Sequence, residues 1–159
     1  MPIHLPQPKQ LRDLLTELLD RDVTLTPAGP YAPGPDTPAS VAVYVDDSLR
    51  ISAAIVCDLP FSAYAGAALG LVPPGGAKAA VEDGKLDDNL RDNLYEVLNI
   101  AASVFNVPGA DHLRLHELHP AGPPLAPQVR LLALTLGRRE DLAVDVAGYG
   151  SGLLSVILV

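Results

Sequence analysis

Tryptophan is absent from this sequence, cysteine and methionine occur once each, and phenylalanine occurs only twice in 159 residues. Each shortage closes off a class of answers. The single Cys57 excludes an intramolecular disulfide framework and fits a reducing compartment. With 4% aromatic residues against 48% hydrophobic ones, the core has to be built from Leu, Val, Ile and Ala. Charge is sparse too, at 19% of residues, a little under the usual quarter. Much of the surface is then Ala, Gly, Pro and neutral polar groups, which favours association. There is no basic cluster, and a net charge of −8 repels phosphate backbones, so nucleic acid is excluded as a partner. Long apolar runs are missing as well. Residues 59–77 carry no charge, but Pro73-Pro74-Gly75-Gly76 interrupts them. That leaves about a dozen apolar helical residues where a membrane span needs ~20. The opening MPIHLPQPKQ lacks a cationic region followed by an apolar stretch, so no signal peptide is read from it. These absences predict one soluble cytoplasmic domain over residues 1–159.

What is present divides into helical and strand-like periods. Leu11, Leu14, Leu15, Leu18 and Leu19 have the spacing of an amphipathic helix over residues 8–20. VTLT (23–26) starts a strand. A proline-rich internal loop follows over 27–40, with Pro at 27, 30, 33, 35 and 38, where neither a ladder nor a helix interior can form. VAVYV (41–45) and LRISAAIVC (49–57) around a DDS turn predict a β-hairpin. Asp58 before Leu59-Pro60 predicts the cap of a second helix, and its Ala and Gly run (65–70) predicts close packing against another element. After the PPGG break the pattern predicts a polar, acidic loop, then a long helix over 86–106. HLRLHEL (112–118), QVRLLALTL (128–136), LAVDVAGY (142–149) and LLSVILV (153–159) predict strands. The fold class expected is α+β, a largely antiparallel sheet with amphipathic helices packed on one face.

The long helix is cleanly divided. Asp88, Asp92, Glu96, Asn99 and Ser103 fall within roughly 80° of one another, with Leu86, Leu90, Leu94, Val97, Ala101 and Val104 opposite. A polar outer face is what solubility requires, and Asp13, Glu17 and Asp20 repeat the same 4–3 spacing in the first helix. Spacing alone therefore leaves the line as a solvated face. The amide is the exception, because Asn is a poor helix former that prefers caps and turns.

Asp92, Glu96 and Asn99, with Pro120 about twenty residues on (Pro123 and Pro124 are other candidates), form D-x-x-x-E-x-x-N…P. This pattern resembles the signature of the CheC/CheX chemotaxis phosphatases, and the order of predicted elements around it is similar too. One signature copy in a chain of this length looks more like CheX than the two-copy CheC. The resemblance implies hydrolysis of the aspartyl phosphate on a CheY-like response-regulator receiver domain, in chemotaxis or two-component signalling. The regulator would supply the phosphoryl group, the Mg²⁺ and a lysine, so no cofactor of the chain's own is expected. Glu96 would engage the regulator's lysine, and Asn99 would orient the attacking water. Asp92 would support them at the rim, with Asp88 and Ser103 along the same line. A homodimer is implied as well, for which LLSVILV offers an apolar strand able to pair across an interface. The chain departs from the family pattern at two positions. Leu98 stands where a small residue, often Gly, precedes the Asn, and Ser103 stands where Gly often follows it.

Two other readings stay open. A non-catalytic member of the same fold would bind as an adaptor of the flagellar-switch type. A small metal-binding protein would use His112, His116 and His119 with Glu117, although the alternation HLRLHEL suits a strand, in which His119 points away, and no metal site is expected. GYGSG (148–152) lacks the following helix of a phosphate loop and predicts a hairpin turn. Cys57, ending an apolar strand, is expected to be a buried, inert thiol.

Overall fold

Two kinds of apolar pattern determine how this chain folds: period-3.6 stripes that need one covered side, and continuous runs that need two. The computed structural model describes residues 2–159. In order it contains α1 (Pro8–Leu19), β1 (Val23–Pro27), β2 (Ala39–Val45), β3 (Ile51–Asp58), α2 (Leu59–Leu69), α3 (Pro74–Asp83), α4 (Asp88–Ala101), a 3₁₀ turn (Ala102–Val104), β4 (Arg114–His119), α5 (Pro127–Ala133), β5 (Arg139–Val146) and β6 (Gly150–Leu158). The strands form one sheet in the order β1-β5-β6-β3-β2-β4, with every neighbouring pair antiparallel. The fold is α+β, as the patterns predicted.

Alternate residues of the strands face two different cores. Ala42, Tyr44, Ile55, Cys57, Leu142, Val144, Leu154 and Val156 pack under α1, α2 and α4. Val41, Val43, Ala54, Val56 and Ile157 face the other way, toward Val129 and Ala133 of α5. The runs VAVYV and SAAIVC are continuous because β2 and β3 are covered on both faces. Burial pushes the Cys57 thiol up, so it stays protonated and inert.

The sheet has an internal symmetry that the sequence pattern did not suggest. Read inward from its two edges the order is β1-β5-β6 and β4-β2-β3, so a helix, an edge strand and a hairpin occur twice. The two helices correspond position by position. Leu11, Leu15 and Leu19 are buried in α1 and Leu90, Leu94 and Leu98 in α4, each pair 79 positions apart. Asp13, Glu17 and Asp20 bear the same relation to Asp92, Glu96 and Asn99. The spacing that looked like coincidence is the trace of the repeated unit.

Four expectations are corrected. The segment after PPGG is not a loop: Pro73 and Pro74 start α3, the second proline sitting in the first turn where its missing N–H costs nothing, and Gly84 closes it in the left-handed conformation at φ 77°. Ala77 and Ala80 pack it against Ala63, Ala67 and Leu90. QVRLLALTL is not a strand, since residues 127–133 form α5 and β5 begins only at Arg139. LLSVILV cannot pair across an interface, because β6 lies inside the sheet with β5 on one side and β3 on the other. Any dimer has to use another surface. The proline-rich loop is also shorter than predicted, with Pro27 in β1 and Ala39 and Ser40 in β2.

The apolar packing of α5 on the sheet is reinforced by a buried ion pair. Arg139 and Asp141 on β5 have side chains only 7% and 9% exposed, and they pair with both oxygens of the carboxylate engaged, at 2.8 and 2.9 Å. The same guanidinium donates to the carbonyl of Thr135 at 2.8 Å, just past the end of α5, and Ser155 donates to Asp141 at 2.5 Å. Burial alone would push the Asp141 carboxyl up, but Arg139 and Ser155 more than offset this and hold it below its ordinary value. Removing one partner of a buried pair is far costlier than the pair is worth. Arg139→Ala should therefore lower stability by about 3–5 kcal/mol in urea melts. The folded pKa of Asp141 lies below its unfolded value, so its contribution is complete at neutral pH and declines as pH falls below ~4. Asp141→Asn should flatten that acid limb of the melting-temperature profile.

Candidate functional site on helix α4

Helix α4 is set by its ends and by the helix beneath it. Asp87 caps it, accepting from the backbone N–H of Leu90 at 2.8 Å, and Asp88 adds a carboxylate to the first turn. Below lies α2, whose buried residues from Ser62 to Ala68 are all small. At Gly66 the two helices are in backbone contact, since a Cβ there would lie 2.7 Å from the Leu90 carbonyl oxygen. The Asn93 side chain donates to the Gly66 carbonyl at 3.0 Å, and a Cβ on Gly70 would strike that same amide. The predicted close packing of the Ala/Gly run is thus found, with α4 as the partner.

This seating turns the polar line outward. Asp88, Asp92, Glu96, Asn99 and Ser103 are all exposed, and Leu90, Leu94, Val97, Ala101 and Val104 are buried, with Leu86 half-buried. Leu98 is buried as well, so the bulky residue before Asn99 packs into the core and does not cover the line. Arg91 reaches Asp88 at 3.4 Å and Asp92 at 3.3 Å, exposed contacts that contribute little. No hydrogen bond or ion pair among the described residues engages the side chain of Glu96 or Asn99. A carboxylate that only accepts and an amide that both donates and accepts stand one turn apart, about 5–6 Å between Cβ atoms, with their polar ends free.

The end of the helix carrying Asn99 is fixed from below. The N–H of Ala102 donates to the Asn99 carbonyl as the helix tightens into its 3₁₀ turn. The buried Tyr44 hydroxyl donates to the Leu98 carbonyl at 2.6 Å, and its ring packs against Phe105 at 5.1 Å between centroids. Burial pushes the Tyr44 phenol well up, so it stays a donor.

Two residues that the pattern did not single out complete the surface. Tyr95 is 42% exposed and Ile100 37%, and they flank the polar line on either side. Exposed large apolar groups beside a polar line are a contact feature, and their mismatch with the polar face was the available signal. Pro120 does not join the line. It ends β4 at the far end of α4, where Leu86 donates to the Ala121 carbonyl at 3.3 Å. Pro123 and Pro124 line a separate cavity of about 290 Å³ with Pro33, Pro35 and Arg130.

The histidines do not converge. His112 lies 3.9 Å from Asp47, His119 lies 3.3 Å from Glu117, and His116 is the extra residue where the β4–β2 register shifts between Leu115 and Glu117. No group of three or more metal-ligating side chains gathers among the described residues. Residues 147–149 form the turn between β5 and β6, and Gly150, Ser151 and Gly152 already belong to β6, so the segment is part of a hairpin, as the missing helix predicted.

If the line is functional and the packing beneath it structural, mutations should separate the two. Gly66→Ala should cost about 1–3 kcal/mol by overpacking against Leu90. Tyr44→Phe should cost a similar ~1–3 kcal/mol by leaving a buried carbonyl unpaired. Asn99→Ala should instead stabilise the chain by a few tenths of a kcal/mol, because Ala is the better helix former. Urea unfolding of the three variants is the check.

Comparison with solved structures places this architecture. The chain is similar to the FliM middle domain from Vibrio alginolyticus, with a TM-score of 0.58, 11% identity, and coverage of 94% of this chain and 87% of that one. It is similar to Thermotoga maritima FliY at a TM-score of 0.57 and 13% identity, covering 92% and 81%. It is also similar to a chain of the FliG–FliM complex from H. pylori at a TM-score of 0.50 and 13% identity, covering 93% and 84%. No family model and no curated protein sequence matches the chain. Among the described residues, no helix is long and apolar enough to cross a membrane. At these identities the likeness shows the fold alone, and it is the CheC/CheX-like fold that the signature on α4 had suggested.

Proposed function

We propose that this protein binds a phosphorylated receiver domain through α4 and accelerates hydrolysis of its aspartyl phosphate. The observation that carries the reading is the free Asn99 amide, exposed mid-face on a rigid helix one turn from an equally free Glu96. A small-molecule site would be concave, whereas this line stands on the outer surface of a helix. Its reactant must bring its own cleft. The line also carries three carboxylates, Asp88, Asp92 and Glu96, so it does not attract a bare phosphate. A receiver domain meets both conditions, because its phosphoryl group sits in a cleft beside Mg²⁺ and a lysine.

In that cleft the division of labour follows from the side chains. Glu96 accepts the regulator's lysine ammonium as a charge-assisted hydrogen bond and sets the register of docking. Asn99 enters beside the phosphoryl group, accepts a hydrogen from a water through its carbonyl and donates to an oxygen through its NH₂. Phosphoryl transfer needs a positioned nucleophile and compensated charge more than a strong base, so an amide suffices. The Tyr44 bond to the Leu98 carbonyl keeps the last turn, and hence the amide, from swinging. Asp92, Asp88 and Ser103 line the approach.

A second reading has its own support. Tyr95 and Ile100 supply apolar area that binding needs and hydrolysis does not, and FliM, which has the same fold, was crystallised with FliG. A cytoplasmic adaptor that holds a partner without turnover would use the same face.

The two readings separate in one assay. Loss of aspartyl phosphate from receiver domains of the same organism is followed with and without the protein, and co-precipitation of each regulator is measured in parallel. Phosphatase action predicts faster loss for one regulator, a fall of about 10²-fold in the acceleration with Asn99→Ala, and weakened binding with Glu96→Ala. Binding with decay at the spontaneous rate selects the adaptor. Neither binding nor acceleration would overturn both.

A further inference from the structure

The side of the molecule opposite α4 has an unpartnered surface of different character. From Leu118 to Arg139 the chain has three arginines and no carboxylate, within a protein of net charge −8. Arg139 is consumed in the buried pair, but Arg130 and Arg138 are exposed and among the described residues neither pairs with a carboxylate, Arg138 donating to the Ile3 carbonyl at 3.3 Å. Between them stand Leu131, Leu134 and Leu136, exposed to 67%, 42% and 74%. On α5, Val129 and Ala133 face the sheet, and Arg130, Leu131 and Leu134 share the outward side. The result is an apolar patch with a cationic rim.

Its complement is on the same chain. The α4 face has Asp88, Asp92 and Glu96 in a line flanked by Tyr95 and Ile100, an anionic stripe with apolar margins in which Arg91 offsets part of the charge of Asp88 and Asp92. We propose that a second copy of this chain occupies the α5 patch with its α4 face, in a head-to-tail contact. Symmetry follows from placement. Helices α4 and α5 cover opposite faces of one sheet, so a two-fold dimer that satisfied both contacts at once is not available. A pairing of α5 with α5 would set arginines against arginines. Each copy instead offers one anionic and one cationic face in opposite directions, and association extends copy by copy. The sheet edges do not compete. Strand β1 is five residues long and ends in Pro27, and β4 has a register break at His116 and charged side chains along it.

This inference does not rest on hydrolysis. It does give α4 two uses that exclude each other, so assembly would withdraw the line from any other partner. The contact is small and its rim exposed, so association should be weak and should fade with salt.

Sedimentation velocity of the full chain at low ionic strength, from micromolar to millimolar, is the test. Wild type should show mass rising with concentration and returning to monomer at high salt. Arg130→Glu and Asp92→Arg are at exposed positions and should leave the circular dichroism unchanged. Each should weaken self-association about tenfold or more, because each sets like charges face to face. Mixed together they should pair, the reversed α5 rim of one meeting the reversed α4 rim of the other. The mixture should extend beyond two chains, because the faces left free, the unchanged α4 of one variant and the unchanged α5 of the other, meet with opposite charge as in wild type. Leu131→Gln should weaken association without this rescue. A wild type that stays monomeric throughout, single variants that associate like wild type, or a mixture that stays monomeric would each overturn the proposal.

Discussion

The closeness of α2 and α4 is the constraint on which the rest depends. A backbone carbonyl of α4 lies where a side chain of α2 would begin, so only glycine at position 66 permits the layer to close. From that contact the rotation of α4 is fixed, its leucines toward the sheet and its carboxylates and amide toward water. Helix α2 is correspondingly apolar on every side, because it is roofed by α3 and α4 and floored by β3 and β6. The functional surface is thus determined one layer below where it appears.

The opposite side of the sheet is solved by different chemistry. A seven-residue helix has too little stripe to anchor itself by apolar burial alone, and α5 contributes only Val129 and Ala133 in full. A buried guanidinium that holds both its own carboxylate and the carbonyls at the end of the helix supplies the remaining fixation. The two faces differ in what they can tolerate: the α2–α4 face depends on volume, the α5 face on satisfied charge.

How much of this was legible in the sequence depends on length and period. Helix α4 was readable because fourteen residues of clean division outweigh local ambiguity, and its line of Asp88, Asp92, Glu96, Asn99 and Ser103 is exposed as the angles required. Helix α5 was misread because the run of leucines in QVRLLALTL is apolar at both the strand and the helix period, and the arbitrating proline at 127 fell just before the window. Helix α3 was hidden by its own start signal, since Pro-Pro-Gly-Gly reads as punctuation until a helix is known to follow. The inner position of β6 depends on pairings some hundred residues distant, which no local pattern encodes. The repeated unit was visible only as a shared spacing in α1 and α4, because the intervening loops differ in length. Tyr95 and Ile100 showed only as apolar residues beside the polar line, and the Tyr44 anchor, which depends on depth and contact, was not readable at all.

The order of the strands also governs when this protein can fold. The two middle strands, β3 and β6, pair Ala53 with Leu158 and Cys57 with Leu154, so the centre of the sheet joins segments made early and late in synthesis. Until β6 has emerged, β3 has an open inner edge, the β1–β5 pair has nothing to dock on, and α2 has no floor. High separation between pairing partners slows closure of the sheet and leaves apolar surface exposed in the meantime. The sheet cannot be completed stepwise from β1 onward, and until β6 is in place β3 and α2 leave apolar surface open to wrong pairing.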